Sequence, residues 1–402
     1  ISATSYDVPT LGSRVAGDLN SAPDPSFIGK KINDIFFHRN RLGVLADENV
    51  IMSRSGEFFE FFPETVTSAL DTDPIDVAST HTKVSILQHA VSFDEELLLF
   101  SEQSQFMVTG GATLTASNIS INVTTEFEAD KKVKPVGSGS NVFFTFNKGN
   151  FSGVREFFVA SDTDTKKADD ITANVPKFIP ANVFKLATST TENILIALSS
   201  DEDNALYVFQ YYVAQNKRLQ SAWHKWTYGT STSDKILNID FIENTLFIVN
   251  ERSDGVYLET IDVSPALTDS GETYLTHLDR KINNTQLTES YNAGTNQTTL
   301  TLPYTITNTM KVVGKSGASN KAGQEIATIS QSGTSIVVSG DITAQNFFIG
   351  EQYEFEFQFS QQFIQVADSV GSRISVKEGR LQIRNWSVSF NDTGFFTTEV
   401  TP

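Results

Sequence analysis

From Ile35 to Phe62 the chain alternates between short apolar runs and short polar breaks. Ile35–His38 is apolar and Arg39-Asn40-Arg41 is polar. Leu42–Ala46 is apolar and Asp47-Glu48-Asn49 breaks it. Val50–Met52 resumes, Arg54-Ser55-Gly56 interrupts, and Glu57–Phe62 closes the unit. Turn-forming residues between runs too short for helices predict four adjacent antiparallel strands. Four such strands make one blade of a β-propeller.

The pattern recurs over Ser85–Gly111, Asn141–Ser161, Val183–Val213 with Ser221–Tyr228, and Ile236–Val263. Second strands open at Leu42, Leu97, Val142, Ile194 and Leu246, giving spacings of 55, 45, 52 and 52 residues. Propeller blades repeat at roughly 40 to 50 residues. The expectation is therefore an all-β fold with a β-propeller-like body of repeated four-stranded blades. A β-sandwich with irregular hairpins is the alternative, since no shared blade signature is present.

After Val263 the texture becomes Thr- and Asn-rich, with Gly and Ser turns from Lys311 to Ile349. We expect residues 1–30 to be an extended lead-in, 31–263 the propeller-like domain, and 264–402 an appended C-terminal β-rich domain or one returning a strand to close the propeller. Tyr353, Phe355, Phe357 and Phe359 alternate with Glu354, Glu356 and Gln358, which predicts a half-buried strand. In Arg380–Phe390 the apolar phase slips at Arg384-Asn385, which predicts a β-bulge.

The chain has 402 residues, with 30 Lys and Arg against 48 Asp and Glu, a net charge of -18. A surface that grips phosphates is basic, so binding nucleic acid from outside is disfavoured; an acidic wall that DNA slides past fits equally well. There is no cysteine and there are five histidines, so disulfides and Cys-based metal centres are excluded. No apolar run approaches the roughly 18 residues of a membrane-spanning helix. A chain starting at Ile1 reads as a processed or truncated piece of a longer one.

Signatures of catalysis are missing: no phosphate loop, no zinc-protease helix, no Gly-x-Ser-x-Gly elbow. We accordingly expect no enzyme, no catalytic or metal-ligating residues and no cofactor. Asp71/Asp73, Asp162/Asp164 and Asp201-Glu202-Asp203 could serve a glycosidase or calcium only if the fold gathered them; each falls in a predicted turn, where Asp caps the backbone. His38 with Arg39 and Arg41, and His224 between Trp223 and Trp226, are the cation-aromatic groups open to a ligand reading. The competing reading packs their aromatics between blades and leaves the charged tips in solvent. Sequons such as Asn122-Val123-Thr124 and Asn385-Trp386-Ser387 are expected by chance in so Thr- and Ser-rich a chain.

Gly17–Val66, followed by Ala69–Val77 and Ile86–Val108, closely resembles the tail tubular protein B family, the tail nozzle of short-tailed (Autographiviridae-type) podophages. Gly379–Pro402 is also similar to that family's C-terminal part. Nozzle proteins are considerably longer. The resemblance implies a virion protein of the phage tail, with a propeller-type body and added β-domains. It further implies a homo-hexamer below the tail adaptor protein, contacts with the tail fibre protein, and a channel closed until genomic DNA leaves, passing without specific binding towards the host envelope. A carbohydrate-binding or carbohydrate-cleaving propeller engaging the host surface is the alternative. The family offers no catalytic residues to carry over.

Overall fold

A computed structural model describes residues 10–389 apart from 80–84, 94, 161–164, 215–216, 230–233, 266, 318–321, 360–361, 368, 370, 377–380, 383 and 386. The protein is all-β, with no α-helix among these residues. Its chain divides into two compact units, residues 1–228 with 232–263, and residues 229–231 with 264–402.

The first unit is a run of antiparallel blades. Blade I holds β1 (Ile32–His38), β2 (Arg41–Ala46), β3 (Asn49–Met52) and β4 (Ile75–Ala78), and blade II holds β5 (His89–Phe93), β6 (Glu96–Phe100), β7 (Gln105–Thr109) and β8 (Ser120–Thr125). Blade III holds β9 (Val136–Ser138), β10 (Asn141–Lys148), β11 (Phe151–Ala160) and β12 (Thr165–Asp170), with short β13 (Ile179–Pro180) paired to β11. Blade IV holds β14 (Val183–Ser189), β15 (Ile194–Ser199), β16 (Glu202–Ala214) and β17 (Lys217–Thr227). Blade V holds β18 (Lys235–Ile242), β19 (Thr245–Arg252) and β20 (Gly255–Asp262). Strands pair in chain order within blades I to V, and the first strands β1, β5, β9, β14 and β18 lie next to one another in succession. The body is β-propeller-like.

All five predicted second-strand openings fall in second strands: β2, β6, β10, β15 and β19. The reason is burial on both faces. In β6, Leu97 and Leu99 pack with Leu45, Val50 and Met52 of blade I, while Leu98 and Phe100 pack with Val142 and Phe144 of blade III. In β15, Leu195 and Ala197 meet Phe143 of blade III, and Ile196 and Leu198 meet Ile239, Leu246 and Ile248 of blade V. A strand covered on both sides reads as a continuous apolar run. In β19 only alternate residues are buried, Leu246, Ile248, Asn250 and Arg252, because among the described residues one face of blade V has no blade upon it.

Glu57–Phe62 does not form the fourth strand of blade I; that place belongs to β4. The segment is tied down as a series of turns by Glu60 N to Glu57 O, Arg54 N to Glu60 O and Gly12 N to Phe59 O. Its aromatics work as anchors: Phe61 meets Phe27 edge-on at 5.1 Å, and Phe58 meets Phe37 at 5.1 Å. Phe27 and Phe61 thereby cover the outer face of blade I over Val44, Ala46 and Ile51.

The second unit contains β21 (Asp279–Asn283), β22 (Thr288–Asn292), β23 (Gln297–Thr301), β24 (Met310–Gly314), β25 (Glu325–Ile326), β26 (Thr328–Ser332), β27 (Ser335–Ser339) and β28 (Phe347–Glu351). They form two four-stranded sheets, ordered β21-β28-β24-β25 and β22-β23-β27-β26. Leu300, Ile336 and Val338 of one sheet share a core with Met310, Val312, Phe347 and Ile349 of the other. A separate hairpin joins β29 (Ile364–Ala367) to β30 (Arg373–Val376). Tyr353–Phe359 is not a half-buried strand: no strand is assigned there, and Phe355 is 85% exposed. The described residues between 381 and 389 contain no strand; the bulge expected at Arg384-Asn385 rests on the phase of Ile383, Trp386 and Phe390, which lie outside the described residues.

Candidate functional site

The suspected cation cluster separates into three different roles. β1 and β2 are joined at Arg39-Asn40, whose φ values of 45° and 60° give the hairpin turn of mirror-image type, whose twist matches that of the strands. Arg39 reaches across to blade II, donating to Gly111 O at 2.8 Å. His38 is buried, and burial followed by the nearby Arg39 charge pushes its imidazole below the ordinary value.

Arg41 is not a solvated corner. It is 1% exposed, among the largest fully buried side chains. Its guanidinium donates to Ser53 O at 2.7 Å, Asp73 O at 2.7 Å, Asp71 O at 2.8 Å, Leu114 O at 3.2 Å and Thr72 O at 3.4 Å. One planar fork thus ties β2 to the loop before β4 and to the β7–β8 connection of blade II. Guanidinium suits this because it loses its charge under no ordinary condition and carries five donors.

Trp223 and Trp226 share no platform. Trp223 packs on the core between blades III and IV, stacks near Phe209 at 5.0 Å, and donates its indole N–H to Ile171 O at 3.0 Å. Trp226 packs on the core between blades IV and V, beside His224 at 5.6 Å. Three positions apart on one strand, the two indoles point to opposite faces.

The acidic turns stay apart and are employed locally. Asp73 Oδ2 accepts from Leu70 N at 2.8 Å, and Asp201 Oδ1 accepts from Asn182 at 2.8 Å. Glu202 pairs with Lys225 at 2.8 Å and accepts from the Tyr207 hydroxyl. Asp162 and Asp164 lie outside the described residues. No group of three or more His, Asp or Glu side chains placed to hold a metal occurs among the described residues. Asn122 sits on β8, donating to Ser120 Oγ at 3.1 Å.

Sequence reasoning missed the buried ion pairs. Arg218 of β17 grips Glu156 of β11 with two bonds of 2.5 and 2.7 Å while lying over Tyr211 at 4.9 Å. Arg280 pairs with Glu351 at 3.2 Å and stacks on Tyr304 at 3.9 Å. Their partners are 62 and 71 residues away in sequence, so only topology unites them. A groove of about 350 Å³ beside blade I, lined by Pro23, Pro25, Phe61, Pro63 and Asp73 among others, was equally invisible.

In the first unit the buried cations are thus joints between blades, Arg41 between I and II and Arg218 between III and IV. A family described as bacteriophage nozzle protein matches residues 6–402. The chain belongs to the bacteriophage nozzle protein family. Tail tubular protein gp12 of Escherichia phage T7 is 32% identical over 389 residues, covering 94% of this chain and 48% of the relative. The chain therefore spans about half the length of that nozzle-family relative. Membership makes it a structural component of the virion tail. Among solved structures, Kluyveromyces marxianus Hsv2 is 10% identical over 71% of this chain and 80% of its own, with a TM-score of 0.35. The Chaetomium thermophilum Nup170 N-terminal domain in complex with Nup53 is 9% identical over 77% and 58%, also with a TM-score of 0.35. Likeness at this level carries no argument about a nozzle-family chain.

Proposed function

We propose that this chain forms the blade-bearing part of a tail nozzle, six copies of which ring the exit of the DNA channel below the adaptor. In this reading the ring holds the genome until infection and then lets it pass to the host envelope, with the tail fibres docked outside. The match to the nozzle family over residues 6–402 carries the proposal. Net charge of -18 supports the role of the wall, because repulsion of phosphate leaves passing DNA nowhere to adhere. The joints at Arg41 and Arg218 suit a part that is stiff rather than reactive, so the role proposed is not enzymatic. Trp223 and Trp226 face apart and so offer no shared platform for a sugar, which speaks against carbohydrate engagement at that strand.

Native mass spectrometry of the chain with purified adaptor tests this. Six-fold species are the expected result; monomers alone in the presence of adaptor would overturn it. A cryo-electron map of the ring with a strongly basic lumen would separately remove the role given to charge.

A further inference from the structure

We infer that the groove beside blade I is a docking site for a basic, extended segment of another protein, whose lysine or arginine side chain enters it. The contact does not depend on the ring proposed above, and either can fail while the other stands.

The groove, about 350 Å³ in volume, lies between the lead-in and the connection from β3 to β4. The lead-in is folded back onto this connection: Gly12 N donates to Phe59 O at 2.9 Å, and Ser26 N donates to Asp76 Oδ2 at 2.8 Å. The opposite wall is anchored from beneath, because Arg41 holds Asp71 O and Asp73 O. Pro23, Pro25, Pro63 and Pro74 line the space between them. Each proline fixes its own φ and lacks an N–H. Walls set before a ligand arrives lower the ordering cost of binding it.

The chemistry of the lining selects the occupant. Its charged members are Asp24, Asp73 and Asp76, with no Lys, Arg or His among the lining residues. Arg14 pairs with Asp24 at 2.5 Å and the Arg41 charge lies near Asp73, whereas Asp76 is held by two neutral donors, Ser26 N and the Asn49 amide. Between Ser55 and Ala78 the chain carries Glu57, Glu60, Glu64, Asp71, Asp73 and Asp76 and no Lys or Arg. Arg54, just before, offsets Glu57 and Glu64. Carboxylates only accept hydrogen bonds and the four prolines remove backbone donors, so the groove is rich in acceptors and poor in donors. Lysine and arginine heads are donors only. Phe61 and Val66 give the aliphatic stem of such a side chain an apolar surface while its head reaches the carboxylates. Opposite charge across the contact steers the encounter and fixes the register, and phosphate-bearing ligands are repelled.

The test is an NMR titration of the full, isotopically labelled chain with the peptide acetyl-Leu-Arg-Leu-amide. Amide shifts centred on Ser21, Val66, Ser68 and Ala69 are expected. Replacing arginine by citrulline, its neutral isostere, should weaken binding by about tenfold or more, the worth of one hydrogen bond to a charged group. Ser68→Lys, at an exposed lining position, places a cation of the chain's own in the groove and should abolish the shifts with the melting temperature unchanged. Equal binding of the citrulline peptide, or no shift at the groove at any peptide concentration, would overturn the inference. Binding that survives Ser68→Lys would place the peptide elsewhere and overturn the groove as its site. Free spermidine displacing the peptide at equal concentration would overturn a protein partner in favour of a soluble polyamine.

Discussion

A guanidinium that satisfies five carbonyl oxygens has no substitute among other side chains. In Arg41→Met the stem packs but Ser53 O, Asp71 O and Asp73 O lose their donor inside a closed site. Each unmet buried acceptor costs about 1 to 3 kcal/mol, so urea unfolding is expected to show a loss of roughly 3 kcal/mol or more. Arg41→Lys keeps the charge but not the fork and is expected to recover only part of it. Two residues along the same strand, Gly43 lies under the ring of its cross-strand partner Phe36, where an added Cβ would fall 2.1 Å from a ring carbon. Gly43→Ala must displace Phe36 from the core shared with blade II, costing about 1 to 3 kcal/mol by the same measurement. Combination with Phe36→Leu is expected to return part of the loss.

The histidines add a dependence on pH. Burial lowers the imidazoles of His38 and His224 below the ordinary value, with Arg39 adding to the effect at His38. Their unfolded counterparts titrate near about 6.5, so below that pH the unfolded chain binds more protons than the native one. The stability held above pH ~6.5 is lost as the solution is acidified through the window beneath it. Melting temperatures measured between pH 8 and 5 are expected to fall, and to fall less in a His38→Gln, His224→Gln variant.

At the scale of elements, legibility followed burial. β6, β10 and β15 announce themselves because neighbouring blades cover both faces, which leaves the run almost free of polar positions, Thr145 of β10 being buried within it. Glu57–Phe62 imitates such a run, yet its phenylalanines anchor turns, and nothing local distinguishes a ring packed from a sheet from a ring packed from a turn. Tyr353–Phe359 shows the opposite failure: perfect alternation fixes which residues could share a face but cannot supply a partner strand. Arg218 and Glu156 could not be paired from sequence, since their contact depends on blades III and IV being neighbours. That pair should behave as a brace. Glu156 has a side chain only 4% exposed, so Arg218→Met leaves its buried carboxylate with the Asn141 amide but no countercharge from Arg218. A double-mutant cycle with Glu156→Gln, read by urea unfolding, is expected to give a coupling of about 2 kcal/mol.

Across the whole molecule, family membership explains why chemistry was so scarce. A tail component needs stiffness, insolubility of its interior and the right surface charge, and none of these leaves a motif of a few residues. What the sequence carries instead is periodicity, the second-strand openings spaced 45 to 55 residues apart. In the ring proposed above, function would reside in how copies meet, which is a property of surfaces assembled from distant strands.

The five blades also have a direction. Blade I is sealed on its outer side by Phe27 and Phe61, whereas among the described residues blade V packs on a neighbouring blade through one face. Cohesion in such a series is a sum over adjacent interfaces, as in a linear array of repeats. The first unit should therefore unravel from one end: amide protons of β18, β19 and β20 exchange first, and those of β6 and β15 last.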